Sequence, residues 1–379
     1  MKNIVSLLLL LISVWFYAQK SFTVSGKLAG FEENALVTIS KDNVPMDSCR
    51  LQNGRFQVKG KLMESPESLY LIIKEKNDYK RVMLFIGNEN ITINADKKDF
   101  PYDVRVQGSK FTGKSFELNQ KIKNLMRERD ELVKKMFELQ QEGKWNDSLM
   151  YAFWSKKEPI GKIAAIDNKT DSIENQYIEE NLNTYYGLSL LEKVKARYTK
   201  EQLKSFMKRL SPEMNRTRYA QSIRNDLEYD LLKIGDLFYD FEAETSKGKK
   251  VKFSDYFHRN KLVLLNFSTP YCGACLLSIP YLEKLKSEMS DLEIVTFYVD
   301  SGEKGLNTLK KKHSENWEFI WDRKGTLSET QAKYKVNGTP RFYIFDSEGR
   351  LLGKLDGFSE TMNDEIKKIL NKNNPNDEA

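Results

Sequence analysis

The chain has 379 residues, long for a single hydrophobic core and enough for two or three domains. Hydrophobic residues make up 40% and charged residues 30%, a composition that excludes a disordered tract and a multispanning membrane protein. The net charge of +7 arises from 61 Lys and Arg against 54 Asp and Glu, interspersed without a basic block, which reads as a solvated surface and not a nucleic-acid site.

Met1-Lys2-Asn3 precedes an apolar run from Ile4 to Tyr17, followed by Ala18-Gln19-Lys20. A positive start and a short apolar run ending at a small residue read as a secretory signal peptide over 1–18; a membrane helix would need ~20 apolar residues. No cysteine follows the run, which argues against a lipoprotein anchor, and no later stretch is apolar enough to span. The expectation is a soluble exported protein. Export permits disulfides, yet Cys49, Cys272 and Cys275 are too few for a disulfide scaffold. With His258 and His313 they also lack the paired four-ligand spacing of a zinc site, so neither metal nor cofactor is expected.

From 22 to 112 short runs rich in Val, Ile, Phe and Thr alternate with Gly, Asn, Asp and Pro, the grammar of an antiparallel β-domain. Asn53-Gly54 predicts a tight hairpin, because both central residues of a type I′ turn need positive φ. Alternation places Asp47, Cys49 and Leu51 on one face, with Phe56 and Val58 returning beside them, so Cys49 reads as a small buried hydrophobe.

The pattern turns helical from 113 to 232. Leu118, Ile122, Leu125, Leu132, Met136 and Leu139 keep a 4,3 spacing broken only by Arg129, a narrow stripe that suits half of a helical hairpin or a dimer seam. Gly143 and Asn146 mark a break, and Thr199 with Gln202 forms a capping box at a later helix start. No catalytic constellation falls here, and the segment reads as a spacer or packing layer.

Over 233–379 strands and helices alternate. Strands are predicted at 262–267, 293–299, 341–346 and 351–355, and helices at 275–289, 304–312, 327–334 and 360–371. Strand, helix, strand implies a parallel pair with a right-handed crossover, and Ser347-Glu348-Gly349 marks a hairpin joining the last two strands, so one sheet has a parallel and an antiparallel half. At the end of the first strand stands Cys272-Gly273-Ala274-Cys275. Two thiols three residues apart at a helix start can close into a disulfide and reopen, and the helix N-terminus favours the thiolate of the first. A static staple is the alternative, but so short a loop constrains little chain.

Residues 234–372 resemble the TlpA/ResA branch of the thioredoxin superfamily, exported thiol-disulfide oxidoreductases. The likeness rests on Ile234-Gly235-Asp236 with Asp240-Phe241, on Leu264-Leu265-Asn266-Phe267 before the CxxC, and on Pro280 five residues after Cys275. It rests also on Val336-Asn337-Gly338-Thr339-Pro340 and on Phe342-Tyr343-Ile344-Phe345-Asp346 with Gly349. The resemblance implies a thioredoxin-like α/β/α domain, a kink at Pro280, and a cis peptide at Thr339-Pro340 whose loop grips substrate. Cys272 would be the exposed nucleophile and Cys275 the buried resolving thiol, with Tyr271, Thr339 and Pro340 lining the substrate site. Partners would be protein dithiols or disulfides and a redox partner protein, in the periplasm. Residues 22–112 are similar to a β-domain of unknown function that precedes such domains, through Asp47-Ser48, Asn53-Gly54-Arg55-Phe56, Gly60, Pro66 and Gly108-Ser109. The whole reads as a multidomain α+β protein.

How much could a lowered pKa contribute? Moving a thiol from ~8.5 to ~7 raises its thiolate fraction at pH 7 about 15-fold, while a Brønsted slope of ~0.45 costs about 5-fold in nucleophilicity. The net is about 3-fold, so substrate alignment must carry more of the rate. The chain also departs from its relatives. Asn266 stands where thioredoxin has a buried aspartate, and Ser278 where ResA-type proteins have a glutamate. Neither can act as a carboxylate base for Cys275, which leaves water or a more distant carboxylate to take that proton. Tyr271 replaces the usual tryptophan and Ala274 the common proline, which leaves the reductase or oxidase direction open. Arg341 suits either a substrate groove or a surface strand. Two rival functions remain. Thr269, three before Cys272, fits part of a peroxiredoxin-like PxxxTxxC pattern whose proline position holds Leu265; a non-catalytic binding or scaffold protein is the other.

Overall fold

The computed structural model describes residues 21–41, 44–257, 262–314 and 317–372; the 1–18 segment and His258 lie outside them. The chain divides into two compact units, 1–190 and 191–379.

In the first unit, eight strands form two four-stranded sheets. One has the order β4 (Arg55–Gly60), β1 (Phe22–Ala29), β7 (Asn90–Asp96), β8 (Val106–Gln107). The other runs β3 (Val44–Arg50), β2 (Leu36–Lys41), β5 (Glu67–Lys74), β6 (Tyr79–Ile86). Their alternating apolar residues, among them Val24, Val37, Val58, Leu71 and Ile93, make one core. Asn53 and Gly54 take φ of 51° and 68°, the turn expected of them. One pairing departs from the antiparallel expectation: β1 lies parallel to β7. Alternation fixes which face of a strand is buried but not its neighbour, and a parallel pair needs a long connection, here the five strands between.

Helix α1 (Thr112–Gln141) packs on α3 (Lys162–Asn181), with α2 (Asp147–Trp154) beside α3. Arg129, the residue that breaks the apolar stripe, donates from Nε to Asp167 Oδ1 at 2.7 Å and lies over the Trp154 ring. The stripe is thus one side of a helical hairpin, with its polar member paired inside the seam. α4 (Tyr185–Val194) carries the boundary between the units, so the helical stretch is shared between them.

The second unit holds α5 (Lys200–Lys208), α6 (Pro212–Asn215), α7 (Arg218–Glu228) and a seven-stranded mixed sheet. Thr199 and Gln202 form the capping box at α5. Strand order is β10 (Lys250–Lys252), β9 (Glu242–Thr245), β13 (Glu318–Trp321), β12 (Leu292–Tyr298), β11 (Leu262–Ser268), β14 (Arg341–Phe345), β15 (Leu351–Asp356). β11, β12 and β13 are mutually parallel, whereas β14 and β15 run antiparallel. β11 is buried on both faces. Leu264 meets Leu282, Leu285 and Ile366 on one, and Val263, Leu265 and Phe267 meet Phe253, Phe297 and Tyr334 on the other. At ~1.5–3 kcal/mol per buried large apolar side chain, a one-residue slip of β11 is prohibitive, and this central register is what aims the residues at its end. α8 (Gly273–Glu288), α9 (Glu303–Lys310) and α11 (Met362–Lys372) supply residues to the first face, and α10 (Glu329–Lys333) leads to Tyr334 on the second.

Candidate active site

β11 ends at Ser268 and the chain turns through Thr269-Pro270-Tyr271 into α8. Cys272 is the N-cap of that helix: in extended backbone, its sulfur accepts from the Cys275 amide at 3.1 Å. One orphan amide of the helix start therefore points at the sulfur, the arrangement that favours negative charge there. Cys272 is half-buried and Cys275 buried. Pro280 lies inside α8, which continues past it to Glu288. Its missing N–H leaves the Leu276 carbonyl without an intrahelical donor.

Thr339-Pro340 is cis and sits against the dithiol. The Thr339 carbonyl accepts from Cys272 Sγ at 3.2 Å, and the Thr339 side chain lowers the Cys275 thiol pKa. Thus one residue, 67 positions away from Cys272 in sequence, bonds one sulfur and acts on the titration of the other. Burial, followed by the neighbouring Cys272, holds the Cys275 thiol well above the ordinary cysteine range, with Thr339 and the Thr269 backbone offsetting part of it.

Tyr271, half-buried, flanks the pair, and burial plus the Asp300 charge raise its phenol pKa. Asp300 itself accepts from Thr269 Oγ1 at 2.6 Å. Thr269 thus meets Cys275 through its backbone and turns its hydroxyl to a carboxylate, a residue that no sequence motif marks. Its signal would have been its place just past a central parallel strand, where such folds gather ligands. The two positions without carboxylates are occupied in other ways. Ser278 Oγ donates to Cys275 O at 2.8 Å, and Asn266 Nδ2 donates to Thr296 Oγ1 at 3.2 Å while its Oδ1 is buried without a partner among the described residues.

Arg341 fits neither expectation set for it. Its guanidinium is largely buried, paired through Nε with Asp356 and donating through a terminal nitrogen to the Lys335 carbonyl, so it braces the loop's base and offers no free charge. Beside α8 a groove is lined by Leu276, Ile279, Pro280, Glu283, Lys312 and Ser314. Leu276, Ile279, Pro280 and Glu283 recur at helical spacing from Cys272 and share its side of the helix. A larger cleft at the β9–β10 edge, bounded by Glu244, Lys250, Arg323 and Lys333, contains neither sulfur. Among the described residues no group of three or more His, Cys, Asp or Glu side chains is placed to hold a metal ion. No helix among them is long and apolar enough to cross a membrane.

Residues 234–353 match the AhpC/TSA family, and residues 22–113 match a domain of unknown function, DUF4369. The C-terminal unit carries an AhpC/TSA-family domain of thioredoxin-like fold. Among solved structures, the chain is similar to a thiol-disulfide oxidoreductase from Bacteroides fragilis, at 23% identity over 35% of this chain and 99% of that one, TM-score 0.32. It is similar to the thioredoxin domain of a thiol-disulfide oxidoreductase from Bacteroides vulgatus, at 21% identity over 36% and 97%, TM-score 0.33. A thiol:disulfide interchange protein from Bacteroides sp. is similar at 22% identity over 39% and 96%, TM-score 0.34. A comparison with curated proteins gave no match.

Proposed function

We propose that this chain is an exported thiol-disulfide oxidoreductase that reduces disulfides in protein substrates through Cys272 and Cys275. The observation that carries the reading is Thr339, whose carbonyl accepts from the Cys272 sulfur across 67 positions of sequence. A structural staple needs no such third party. Export rests on the character of the 1–18 segment.

The Cys272 thiolate attacks one sulfur of the substrate disulfide; the substrate S–S bond breaks, a mixed disulfide forms, and the first substrate thiolate leaves and takes up a proton. Loss of the Cys272 proton also releases the Thr339 carbonyl, which then can accept from the substrate backbone. Cys275 gives its proton to water or to the Asp300 carboxylate behind Thr269 and attacks Cys272 Sγ. That step breaks the mixed disulfide, forms the Cys272–Cys275 disulfide and expels the second substrate thiolate. Two electrons pass to the substrate, and a dithiol partner protein returns them. The raised Cys275 pKa keeps the order of events: the resolving thiol stays protonated until the mixed disulfide has formed.

The AhpC/TSA match and Thr269, three residues before Cys272, favour a thiol peroxidase as the second reading. Against it, the Thr269 hydroxyl donates to Asp300 and Cys272 Sγ faces Thr339. Insulin reduction by the protein and by Cys272→Ser tests the first reading. Equal turnover by the two would leave a scaffold role, and peroxide consumption by Cys275→Ser would establish the second.

A further inference from the structure

The helical stretch before the C-terminal domain reads in sequence as packing, yet one of its helices touches the approach to the Thr339 loop at three points. On α7, Ser222, Asn225 and Asp226 stand three and four residues apart and so share a face. Ser222 Oγ, which donates to Glu192 Oε1 at 2.7 Å, also lies 3.3 Å from Thr326 O, and Asn225 Nδ2 donates to Leu327 O at 3.4 Å. The Lys335 ammonium donates to the Asp226 carbonyl and reaches its carboxylate at 3.4 Å. All three contacts fall on 326–335, the run that passes through α10 into Val336–Pro340.

Lys335 is the last residue before that loop and sits at φ 49°, left-handed backbone that a lysine holds only when its surroundings fix it. Both ends are fixed. Its ammonium is on Asp226, and its carbonyl accepts from Arg341, itself paired with Asp356. Val336 N then donates to Gln331 O at 2.9 Å, and three residues further on the Thr339 carbonyl meets Cys272. The Lys335 and Asp226 side chains are only 14% and 16% exposed, so bulk salt screens the pair weakly. Lys195 stands 3.9 Å from the other Asp226 oxygen and donates to Ser222 Oγ, which holds the carboxylate between two ammonium groups.

We propose that Asp226 and Lys335 are a positioning pair through which α7 sets the Thr339–Pro340 loop against the dithiol, and so sets affinity for the polypeptide flanking a substrate disulfide. This rests on the reading of that loop as the element that grips substrate. A protein disulfide must lie along the loop and depends on the pair. A small disulfide that needs only the Cys272 sulfur does not.

The test uses the full chain, with insulin as the protein disulfide and 5,5′-dithiobis(2-nitrobenzoate) as the small one. Lys335→Met is expected to raise KM for insulin about fivefold or more with kcat little changed, while the rate with the small disulfide falls less than twofold. Lys335→Arg, which restores a cationic donor, should recover most of the KM. Equal losses with both disulfides, or no change with either, overturn the proposal. Should Lys335→Met not fold, Asn225→Ala on the same helix face must show the same split, and its absence overturns the proposal equally. Cys272→Ser separates the two levels: insulin turnover surviving in it defeats the exchange reading itself, whereas a dead Cys272→Ser beside an unaltered Lys335→Met defeats only the pair.

Discussion

The two units each contain a cysteine whose thiol pKa is raised by burial, and the contrast between them shows what makes a thiol a site. Cys49, on β3, packs against the N-terminal core but is half-buried and not the buried hydrophobe its alternation suggests, because β3 is an edge strand; the Asp47 charge raises its pKa further, and a single backbone contact from Gln57 works the other way. Cys275 is buried more deeply, yet it has a second sulfur, a threonine side chain and a backbone contact around it, and a half-exposed partner that can reach substrate. A half-buried thiol with no second sulfur beside it, as Cys49 is, has no partner for exchange. Burial beside an accessible thiol at a helix start makes a resolving group.

The largest effect that would break this contrast lies in the sulfurs. Cys272→Ser should lower insulin reduction at least 100-fold, because no other described sulfur is placed to form the mixed disulfide, whereas Cys49→Ser should leave turnover within twofold. A large loss from Cys49→Ser would mean that the β-domain thiol takes part.

A second contrast is in acid. His313 is buried against Trp317 and Phe319, and burial lowers its pKa from 6.5 to about 4 although the Glu283 carboxylate is 3.6 Å away. A depressed folded pKa means that its stability contribution is complete above pH 6.5 and is lost as pH falls toward 4, about 3 kcal/mol in all and about 2 kcal/mol by pH 5. In the N-terminal unit the Lys97 ammonium, 2.5 Å from Glu75, holds that carboxyl below its usual range, so this contribution is lost only below pH 4.5. Between pH 6.5 and 4.5 the C-terminal unit should soften first. Urea unfolding at pH 7 and pH 5, compared with His313→Phe, reads the difference; an unchanged pH slope in the variant contradicts it.

Resolution of the mixed disulfide offers a smaller effect. Asp300→Asn should slow the Cys275 step about tenfold while leaving the Cys272 attack nearly intact, below the ~10²–10⁴-fold range for a full general base because Asp300 stands behind Thr269. Ser278→Glu should shift the pH dependence of the same step, as it places a carboxylate beside Cys275. Stopped-flow measurements of the two phases decide both, and two unchanged profiles would leave the proton to water.

Smallest is a packing test in α9. A Cβ at Gly305 would lie 2.0 Å from the Tyr298 hydroxyl and 3.1 Å from that of Tyr271. Gly305→Ala gains ~1 kcal/mol of helix propensity but meets ~1–3 kcal/mol of overpacking. The net should be a loss of about 1 kcal/mol in thermal or urea stability, with KM for insulin raised through Tyr271. A more stable variant would show that the Tyr298 hydroxyl yields without cost.

Much of the C-terminal unit was legible because its strands are long and apolar and its turn chemistry is strong. β11, β12, β14 and β15, the hairpin at Gly349 and all four helices fall within a few residues of their predicted places. β9, β10 and β13 were missed. They span only three or four residues, and Glu318-Phe319-Ile320-Trp321 is too short to show a period. The dithiol was legible from its CxxC spacing, and the Thr339-Pro340 loop through the family resemblance. The links of Asp300, Asp226 and Lys335 were not, since these are single charged residues brought together across 109 positions in one case by packing alone. Arg341 shows the same limit: a charge in a strand gives no hint of the carbonyl it braces.

The central claim is tested most directly by trapping. Cys275→Ser, incubated with oxidised insulin and quenched with acid, should accumulate a covalent adduct whose peptide map places the mixed disulfide on Cys272. No adduct, or an adduct on Cys49, would contradict the account.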